Sequence, residues 1–284
     1  MNVRTINYKD SNNSHEFTRS LRQTGFGILN NHPIDFNLIY DVYIEWEKFF
    51  NGKHKHKYLF DSVKQDGFFP LGTENAKGAV ISDIKEFYHF YPWGRLPNDL
   101  SNNTKKLYKE LVSLTSTLLH WIQDETPKHI KSLFSTPLPD MIIDSKTHLL
   151  RIIHYPPLDG TEEPEAIRGA AHEDINLITL LIGAEEGGLE VLNKDGSWIK
   201  VAPSSEAIVC NIGDMMQLVT DKQLKSTTHR VIQDKEAESK SRYSIPFFLH
   251  PAPSINLKSI FRDDDEGILA DDFLDQRLKE IKLY

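Results

Sequence analysis

Two histidines and one aspartate in the last third of the chain could bind a metal ion. His172 and Asp174 lie two residues apart, and His229 follows farther along. Two neutral imidazoles and one carboxylate are the ligand set of a non-haem ferrous site with open coordination positions. Arg242 and Ser244 come next, and an arginine fork beside a hydroxyl can hold the carboxylate of a co-substrate. If these five side chains converge, the protein activates oxygen.

Each of these residues also has an ordinary interpretation when it is taken alone. The chain has 12 histidines in 284 residues, so a His-x-Asp triplet arises by chance about once. His172 and Asp174 could form an exposed turn, and His229 could be a histidine whose hydrogen bonds are satisfied within a strand. Arg242 and Ser244 could be plain strand residues. The order of the five residues and their strand contexts favour one shared site.

Strand-like sequence follows the His-x-Asp triplet. Residues 176–182 are apolar and rich in branched side chains, which predicts a buried strand. Residues two apart in an extended strand point to the same face, whereas on a helix they diverge. We therefore expect His172 and Asp174 at the entrance of this strand, facing one cavity.

The second histidine and the arginine have similar surroundings. Residues 227–232 carry several β-branched side chains, and residues 242–249 form an apolar segment, so both favour strands. The highly polar stretch 233–240 between them predicts an exposed hairpin loop. On this interpretation His229 and Arg242 lie on neighbouring antiparallel strands.

Short strand-like runs separated by turn residues fill residues 147–250. The Asp-Gly and Gly-Asp dipeptides at 195–196 and 213–214 are hairpin signals because glycine tolerates positive φ. The apolar run 215–219 is predicted to be one of these strands. About eight short strands at this spacing predict a sandwich or jelly roll, whose mouth suits a small-molecule site.

Helical patterns dominate the N-terminal half. Residues 35–50 have apolar side chains at helical spacing, with Asp35 as the expected N-cap and Gly52 past the end. Residues 104–122 predict a second amphipathic helix that packs on the sheet. Residues 271–283 predict a C-terminal helix, which we expect over the mouth of the site.

The order His-x-Asp, His, Arg-x-Ser resembles that of the 2-oxoglutarate and Fe(II)-dependent oxygenases. It is similar to the subgroup that contains isopenicillin N synthase and the plant flavonoid and hormone oxygenases. Residues 150–157 resemble the strand before the metal motif of that subgroup, and residues 24–32 resemble its N-terminal strand. The resemblance covers most of the chain.

The resemblance implies a metal site, a co-substrate site and a substrate site. The implied Fe(II) ligands are His172, Asp174 and His229. The implied 2-oxoglutarate contacts are Arg242, Ser244, Tyr155 and Arg151. Candidate substrate contacts, by position, are His89, Tyr91, Arg95, Arg168 and Phe247. The sequence departs from many plant relatives at Ile153, where they carry a polar residue on the same face.

The implied fold is mainly β with α, a double-stranded β-helix (jelly roll) core with supporting N-terminal helices. We expect a single domain over 1–284. Its parts would be a mixed helical support region over 1–146, the catalytic core over 147–250 and a C-terminal extension with a helix over 251–284.

The implied reaction is the oxidation of a small molecule by Fe(II), 2-oxoglutarate and O2, with release of succinate and CO2. The outcome could be hydroxylation, desaturation or cyclisation. Three alternatives remain open: an isopenicillin N synthase-like oxidase that does not use 2-oxoglutarate, a non-catalytic metal-binding β-helix protein, and a zinc hydrolase on the same ligand set.

Composition favours an enzyme of the cytoplasm. The net charge of −8 argues against nucleic acid as a partner, and we expect neither a membrane segment nor a signal peptide. The single cysteine, Cys210, excludes a cysteine-rich metal site and an internal disulfide. The chain has no His-Glu-x-x-His motif, so a zincin protease is not indicated. We expect a monomer or a weak homo-oligomer.

Overall fold

The computed structural model describes residues 3–73, 83–158, 168–182, 187–202, 204–232, 240–262 and 266–280. Its helices are α1 (Asn13–Thr24), α2 (Phe36–Asn51), α3 (Asn103–Asp124), α4 (Lys128–Lys131), α5 (Asp214–Val219) and α6 (Ala270–Glu280), with 3-10 helices at Lys53–Tyr58 and Leu138–Ile142. Its strands are β1 (Thr5–Asn7), β2 (Phe26–Asn30), β3 (Gly67–Phe69), β4 (Glu86–Phe90), β5 (Leu149–Tyr155), β6 (Gly169–His172), β7 (Ile178–Ile182), β8 (Leu189–Leu192), β9 (Trp198–Lys200), β10 (Ile208–Ile212), β11 (His229–Val231), β12 (Arg242–Leu249), β13 (Asn256–Leu257) and β14 (Ile268–Leu269).

Two sheets face each other in the described part of the chain. The large sheet has eight strands in the order β1-β2-β10-β7-β12-β5-β4-β3, and the small sheet has four in the order β6-β11-β8-β9. Buried apolar side chains join the two sheets: Phe26 and Val209 pack with Val191, and Ile153 and Tyr155 pack with Val231. This arrangement is a jelly roll, so the predicted fold class is confirmed.

Helices cover the outer face of the large sheet. The rings of Trp46 and Phe49 in α2 lie 4.8 and 5.5 Å from the ring of Tyr88 in β4. In α3, the ring of Tyr108 lies 5.4 Å from that of Phe247 in β12. The main hydrophobic core therefore lies between helices and sheet, and the inner face of the sheet is left for a site.

The predicted helices are confirmed. Asp35 is the N-cap of α2, and its carboxylate accepts a hydrogen bond from the backbone N–H of Asn37 at 2.9 Å. Helix α3 covers the predicted segment 104–122 and extends it at both ends. Helix α6 covers most of the predicted C-terminal helix, whose residues 281–283 lie outside the described residues.

The predicted strand over 215–219 is wrong, because this run belongs to helix α5. Met215, Met216 and Val219 are buried at helical spacing. The run carries a single polar residue, Gln217, which is too little to reveal its period, so a strand and a helix look alike in the sequence. The backbone N–H of Gln217 donates to the carbonyl of Gly213, which closes the helical turn.

The predicted hairpin between His229 and Arg242 is also wrong. Strand β11 pairs with β6 and β8, whereas β12 pairs with β5 and β7. The chain crosses from the small sheet to the large one between them, and residues 233–239 of the predicted loop lie outside the described residues. Strands β11 and β12 face each other across the jelly roll. A local sequence pattern predicts a strand but not its pairing partner, so it could not distinguish this arrangement from a hairpin.

Candidate metal and co-substrate site

The two histidines and the aspartate come together at one end of the small sheet. His172 ends β6 and lies directly opposite His229, the first residue of β11. Asp174 follows β6, and its Oδ1 lies 3.8 Å from Nε2 of His172 and 3.9 Å from Nε2 of His229. The three candidate ligand atoms all lie within 4.8 Å of one another. One metal ion can therefore contact all three.

Backbone carbonyls orient both imidazoles. Nδ1 of His172 lies 2.8 Å from the carbonyl oxygen of Ala170, and Nδ1 of His229 lies 3.2 Å from that of Thr227. A carbonyl only accepts hydrogen bonds, so each Nδ1 carries the proton and each Nε2 keeps its lone pair. Each Nε2 faces Asp174, which is the arrangement that histidine ligands of metals adopt.

Hydrogen bonds hold the carboxylate of Asp174 at one of its two oxygens. Its Oδ2 accepts hydrogen bonds from Oγ1 of Thr179 at 2.5 Å and from Nδ2 of Asn211 at 2.7 Å. Burial acts to raise the pKa of Asp174, but the two imidazoles and these donors outweigh it and lower that pKa. Asp174 is therefore ionised, and its Oδ1 points at the histidines.

His172 is neutral at pH 7 and open to solvent. Desolvation and the adjacent imidazole of His229 lower the pKa of His172 to about 4. Its side chain is nevertheless 41% exposed. A neutral imidazole is the form that binds a metal, and the exposure leaves the metal position accessible.

A buried guanidinium lies across the jelly roll from the candidate metal ligands. Arg242, the first residue of β12, is 3% exposed, and its guanidinium carbon lies 4.9 Å from the ring centroid of Tyr155. Within the described residues, neither its Nε nor its Nη1 has a hydrogen-bond partner. A buried cation with unsatisfied donors is costly, and a carboxylate ligand would supply an acceptor and the opposite charge.

Ser244 and His229 face the same interior as this arginine. Ser244 is buried and pairs with Ile153, two residues along β12 from Arg242, so both side chains point to the inner face. Across the interior, Val231 packs against Ile153 and shares a strand face with His229. The donor set therefore fits a metal ion and a ligand with a carboxylate between the two sheets.

Arg151 lies apart from the other co-substrate candidates. It is four residues from Tyr155 in β5, which corresponds to about 13 Å along a strand. Its Nε donates to Nε2 of His89 at 2.9 Å, and its guanidinium carbon lies 4.5 Å from the ring centroid of Phe87. The side chains around Arg151 are thus aromatic, and Arg242 is not one of these neighbours.

Two of the substrate candidates face the interior. His89 is buried on the inner face of β4, directly beside Arg151. Arg168 precedes β6, and its guanidinium carbon lies 6.0 Å from the ring centroid of Tyr155. Its Nη2 also donates to the carbonyl of Lys240 at 3.2 Å, which ties the start of β6 to the start of β12.

The other three substrate candidates have structural surroundings. Tyr91 stacks on the half-exposed ring of Trp93 with centroids 4.6 Å apart. Arg95 is occupied by Asp66, with Nε and Nη2 at 3.0 and 3.1 Å from its carboxylate oxygens. Phe247 lies on the outer face of β12 within the helix-covered core, because it is five positions, an odd number, from Arg242.

Sequence reasoning missed the residues that hold Asp174. Thr179 and Asn211 pair directly across β7 and β10, and their side chains meet at the carboxylate. Each is a polar residue inside an otherwise apolar strand, which is the signal that could have revealed them. A buried polar group needs a partner, and the sequence did not show which partner it had.

Known proteins resemble this chain over nearly its whole length. Residues 146–251 match the family model of the 2OG-Fe(II) oxygenase superfamily, and residues 6–111 match a model described as "non-haem dioxygenase in morphine synthesis N-terminal". A 2-oxoglutarate-dependent dioxygenase of Didymella fabae is 27% identical over 296 residues, which cover 90% of this chain and 86% of the relative.

Two solved structures are more similar in sequence. A "putative oxygenase" of Shewanella oneidensis is 47% identical with a TM-score of 0.88, and the match covers 100% of both chains. A "putative 2OG-Fe(II) oxygenase family protein" of Caulobacter crescentus is 31% identical with a TM-score of 0.82, covering 98% of this chain and 99% of the other. The chain therefore belongs to the 2-oxoglutarate and Fe(II)-dependent oxygenase superfamily.

Proposed function

We propose that His172, Asp174 and His229 are the protein ligands of Fe(II) in this oxygenase. We further propose that Arg242 and Ser244 bind the distal carboxylate of 2-oxoglutarate. The observation that carries the second assignment is the buried guanidinium of Arg242, whose Nε and Nη1 have no hydrogen-bond partner within the described residues. A ligand with a negatively charged group such as a carboxylate would supply both an acceptor and the opposite charge for this guanidinium.

Each side chain has a distinct part in the reaction. His172 and His229 offer Nε2 lone pairs, and Asp174 offers the oxygen that Thr179 does not hold. When bound, Fe(II) with 2-oxoglutarate and O2 supplies the oxidising chemistry, which yields succinate, CO2 and an oxidised substrate. The ring of Tyr155 lies over the guanidinium of Arg242 and limits the positions that this guanidinium can take.

The main experiment is an anaerobic titration of the Fe(II)-loaded protein with 2-oxoglutarate. Chelation of the metal by the oxo-acid should give a metal-to-ligand charge-transfer band in the visible spectrum. Arg242→Gln should weaken the affinity for 2-oxoglutarate by about 10-fold to 100-fold, because a charge-assisted hydrogen bond contributes about 1.5–3 kcal/mol. His172→Ala should lose Fe(II) affinity itself.

Arg19→Gln is the matched control for Arg242→Gln. Arg19 lies on the surface of α1, with a 48% exposed side chain that pairs with Glu16 at 3.5 Å. Its substitution should leave the charge-transfer titration unchanged. An Arg242→Gln protein with wild-type affinity for 2-oxoglutarate would place the co-substrate elsewhere, and wild-type Fe(II) affinity in His172→Ala would refute the metal assignment.

We propose a single domain, with the support region 1–146, the core 147–250 and the extension 251–284 folding together. The N-terminal support region contributes β1 to β4 to the same large sheet as β5, β7, β10 and β12, which supports one folding unit.

Four further expectations stay predictions. They are the similarity to the isopenicillin N synthase subgroup, the monomeric or weakly oligomeric state, the absence of a nucleic-acid partner and the cytoplasmic location. Among the described helices, none has the length and apolar character needed to cross a bilayer.

A further inference from the structure

A bulge in β6 lies directly before His172. His172 pairs with His229 on β11. Gly169, three residues earlier on β6, pairs with Val231, which is only two residues after His229. The extra residue leaves backbone groups of β6 without partners in the ladder, and a bulge of this kind re-aims the neighbouring side chains. In the described part of the chain β6 is also an edge strand, so its backbone beside His172 needs partners from outside the sheet.

Asp83 supplies one of these partners. Its Oδ1 accepts a hydrogen bond from the backbone N–H of Ala170, at the bulge, at 3.1 Å. The carbonyl of Ala170 in turn accepts the Nδ1–H of His172 at 2.8 Å. Ala170 is thus held at its N–H by Asp83, and its C=O sets the direction of the imidazole. Two hydrogen bonds therefore link a carboxylate of the N-terminal support region to a candidate metal ligand.

The carboxylate of Asp83 is buried and fixed. Its side chain is 6% exposed, and its Oδ2 lies 2.8 Å from Nζ of Lys85. The removal of two charges from water offsets much of their attraction, so a buried pair of this kind adds little net stability. An ionised carboxylate is nevertheless a stronger acceptor than a neutral group. The main contribution of Asp83 is therefore to hold the N–H of Ala170 in one position.

His229 is oriented in a similar way. Its Nδ1 lies 3.2 Å from the carbonyl oxygen of Thr227, and Oγ1 of Thr227 donates to the carbonyl of Thr24 at 3.0 Å. Thr24 is the last residue of α1, in the N-terminal support region that also contains Asp83. At each histidine, the residue two positions earlier accepts the Nδ1–H and is itself anchored to this region.

We propose that Asp83 is a positioning residue for the iron site, which fixes the tautomer and the direction of the His172 imidazole through Ala170. With the proton on Nδ1, Nε2 presents its lone pair towards the metal position. The link to iron rests on the proposed function, because it takes His172 as an Fe(II) ligand. The effect on the tautomer concerns the metal-free protein and does not depend on that assignment.

The first measurement is the tautomer of His172 in the metal-free protein at pH 7, by NMR of protein with ¹⁵N-labelled histidine. The signals of His172 are identified by their loss in His172→Ala. Wild-type protein should carry the proton on Nδ1. Asp83→Leu is close to aspartate in shape but has no acceptor, so it should show a substantial Nε2–H population. Asp83→Asn keeps an oxygen for the N–H of Ala170 and should stay close to wild type.

The second measurement is the Fe(II) dissociation constant under anaerobic conditions. Asp83→Leu should bind Fe(II) about tenfold more weakly, the lower end of the effect seen when groups that orient metal ligands are removed. Asp83→Asn should recover most of the affinity. Asp83→Ala introduces no new bulk, and it should shift both measurements in the same direction if Asp83→Leu does not fold.

Asp66→Leu is the matched control. Asp66 is also a buried carboxylate, with a 2% exposed side chain, and its Oδ2 accepts the backbone N–H of Arg95 at 2.7 Å and lies 3.0 Å from Nε of the same residue. Its substitution removes a carboxylate from a backbone donor and a cation, as Asp83→Leu does. The free energy of unfolding should fall, while the tautomer of His172 and the Fe(II) affinity stay at wild-type values.

Three results would overturn the inference. The first is a wild-type tautomer of His172 in the folded Asp83→Leu or Asp83→Ala protein. The second is wild-type Fe(II) affinity in these variants while His172→Ala loses it. The third is an equal effect of Asp66→Leu, which would show a general loss of stability. Wild-type Fe(II) affinity in His172→Ala would instead contradict the proposed function, so the two failures are distinguishable.

Discussion

The two oxygens of Asp174 have different roles. Thr179 and Asn211 donate hydrogen bonds to Oδ2, whereas Oδ1 faces the Nε2 atoms of both histidines. A carboxylate with one oxygen held this way cannot rotate freely, so the other oxygen is presented in one direction. Partners outside the ligand set commonly contribute 10-fold to 100-fold to metal affinity in this way.

We expect Asn211→Ala to weaken Fe(II) binding by about tenfold. The substitution removes a donor that both orients the carboxylate and lowers the pKa of Asp174. The measurement is the Fe(II) dissociation constant under anaerobic conditions. Asn98→Ala, an exposed asparagine before α3, is the control, and equal Fe(II) affinity in Asn211→Ala and wild type would show that Thr179 alone is sufficient.

At the scale of elements, the N-terminal end of helix α5 supports the loop that carries Asp174. The backbone N–H of Asp214 donates to the carbonyl of Asp174 at 2.7 Å, and that of Gly213 donates to the carbonyl of Leu177 at 3.1 Å. The first N–H groups of a helix have no partner within it, and here the loop carbonyls satisfy them. The helix end and the loop therefore hold each other in place.

Gly213→Ala should displace this loop. A Cβ at Gly213 would overlap the carbonyl oxygen of Asn176, which is backbone and cannot rotate away. We expect a loss of about 1–3 kcal/mol in the free energy of unfolding together with weaker Fe(II) binding. Chemical denaturation and metal titration measure the two effects.

Gly27→Ala is the control for this substitution. A Cβ at Gly27 would lie 3.4 Å from the ring of Phe17, which is ordinary contact, and β2 is not part of the loop. Its Fe(II) affinity should equal that of wild type. Unchanged affinity in Gly213→Ala as well would mean that α5 does not position Asp174.

A buried charged network supports β5 from its outer face. Nζ of Lys55 lies 2.8 and 2.9 Å from the two carboxylate oxygens of Glu86, and Nδ1 of His154 lies 2.8 Å from Oε1 of Glu86. Nε2 of His154 lies 3.0 Å from Oγ of Ser241, the residue before β12. The network thus joins the 3-10 helix Lys53–Tyr58, β4, β5 and the start of β12.

Glu86→Gln should cost about 3 kcal/mol of unfolding free energy, because Lys55 keeps its charge and loses its carboxylate. The glutamine oxygen can still accept a hydrogen bond from His154, so the change isolates the charge pair. The double variant Lys55→Met with Glu86→Gln should lose less than the sum of the two single variants. Additive losses in denaturant unfolding would mean that the two charges do not interact.

At the scale of the whole molecule, buried neutral histidines link stability to pH. Burial, together with His250, lowers the pKa of His148 to about 4, and burial lowers the pKa of His250 to about 4. In the unfolded chain, the pKa values of both histidines return to the ordinary value of about 6.5. Between pH 6.5 and pH 4 the unfolded chain therefore binds more protons than the folded one.

The metal-free protein should lose stability as the pH falls from 6.5 towards 4. Because the folded pKa values lie below the unfolded ones, each histidine contributes its full stabilisation above pH 6.5 and loses up to about 1.4 kcal/mol per pH unit below it. His148→Asn keeps an acceptor for the backbone N–H of His250. It should reduce the slope of the unfolding free energy against pH by about the contribution of one histidine. Denaturant unfolding at pH 7, 6 and 5 tests this, and a slope identical to wild type would contradict it.

The sequence by itself predicted the residues of the candidate site and determined the type of fold. The i, i+2 rule for strands is local, so the shared face of Arg242 and Ser244 followed from spacing alone. Asp174 lies beyond the end of β6, so its position beside His172 did not follow from that rule. The caps and stripes of α2 and α3 are local as well. Short strands and turn residues were sufficient to predict a jelly roll, although Gly213 is the N-cap of α5 rather than part of a hairpin turn.

Only the tertiary structure decided which distant groups meet. Whether β11 and β12 form a hairpin or face each other, whether 215–219 is a strand or α5, and which side chains hold Asp174 depend on packing between segments far apart in the chain. Local periodicity carries no information about such contacts. The neighbours of Arg151 are of the same kind: the sequence shows a basic residue in a strand, whereas only the structure shows that His89, Phe87 and Phe248 lie around it.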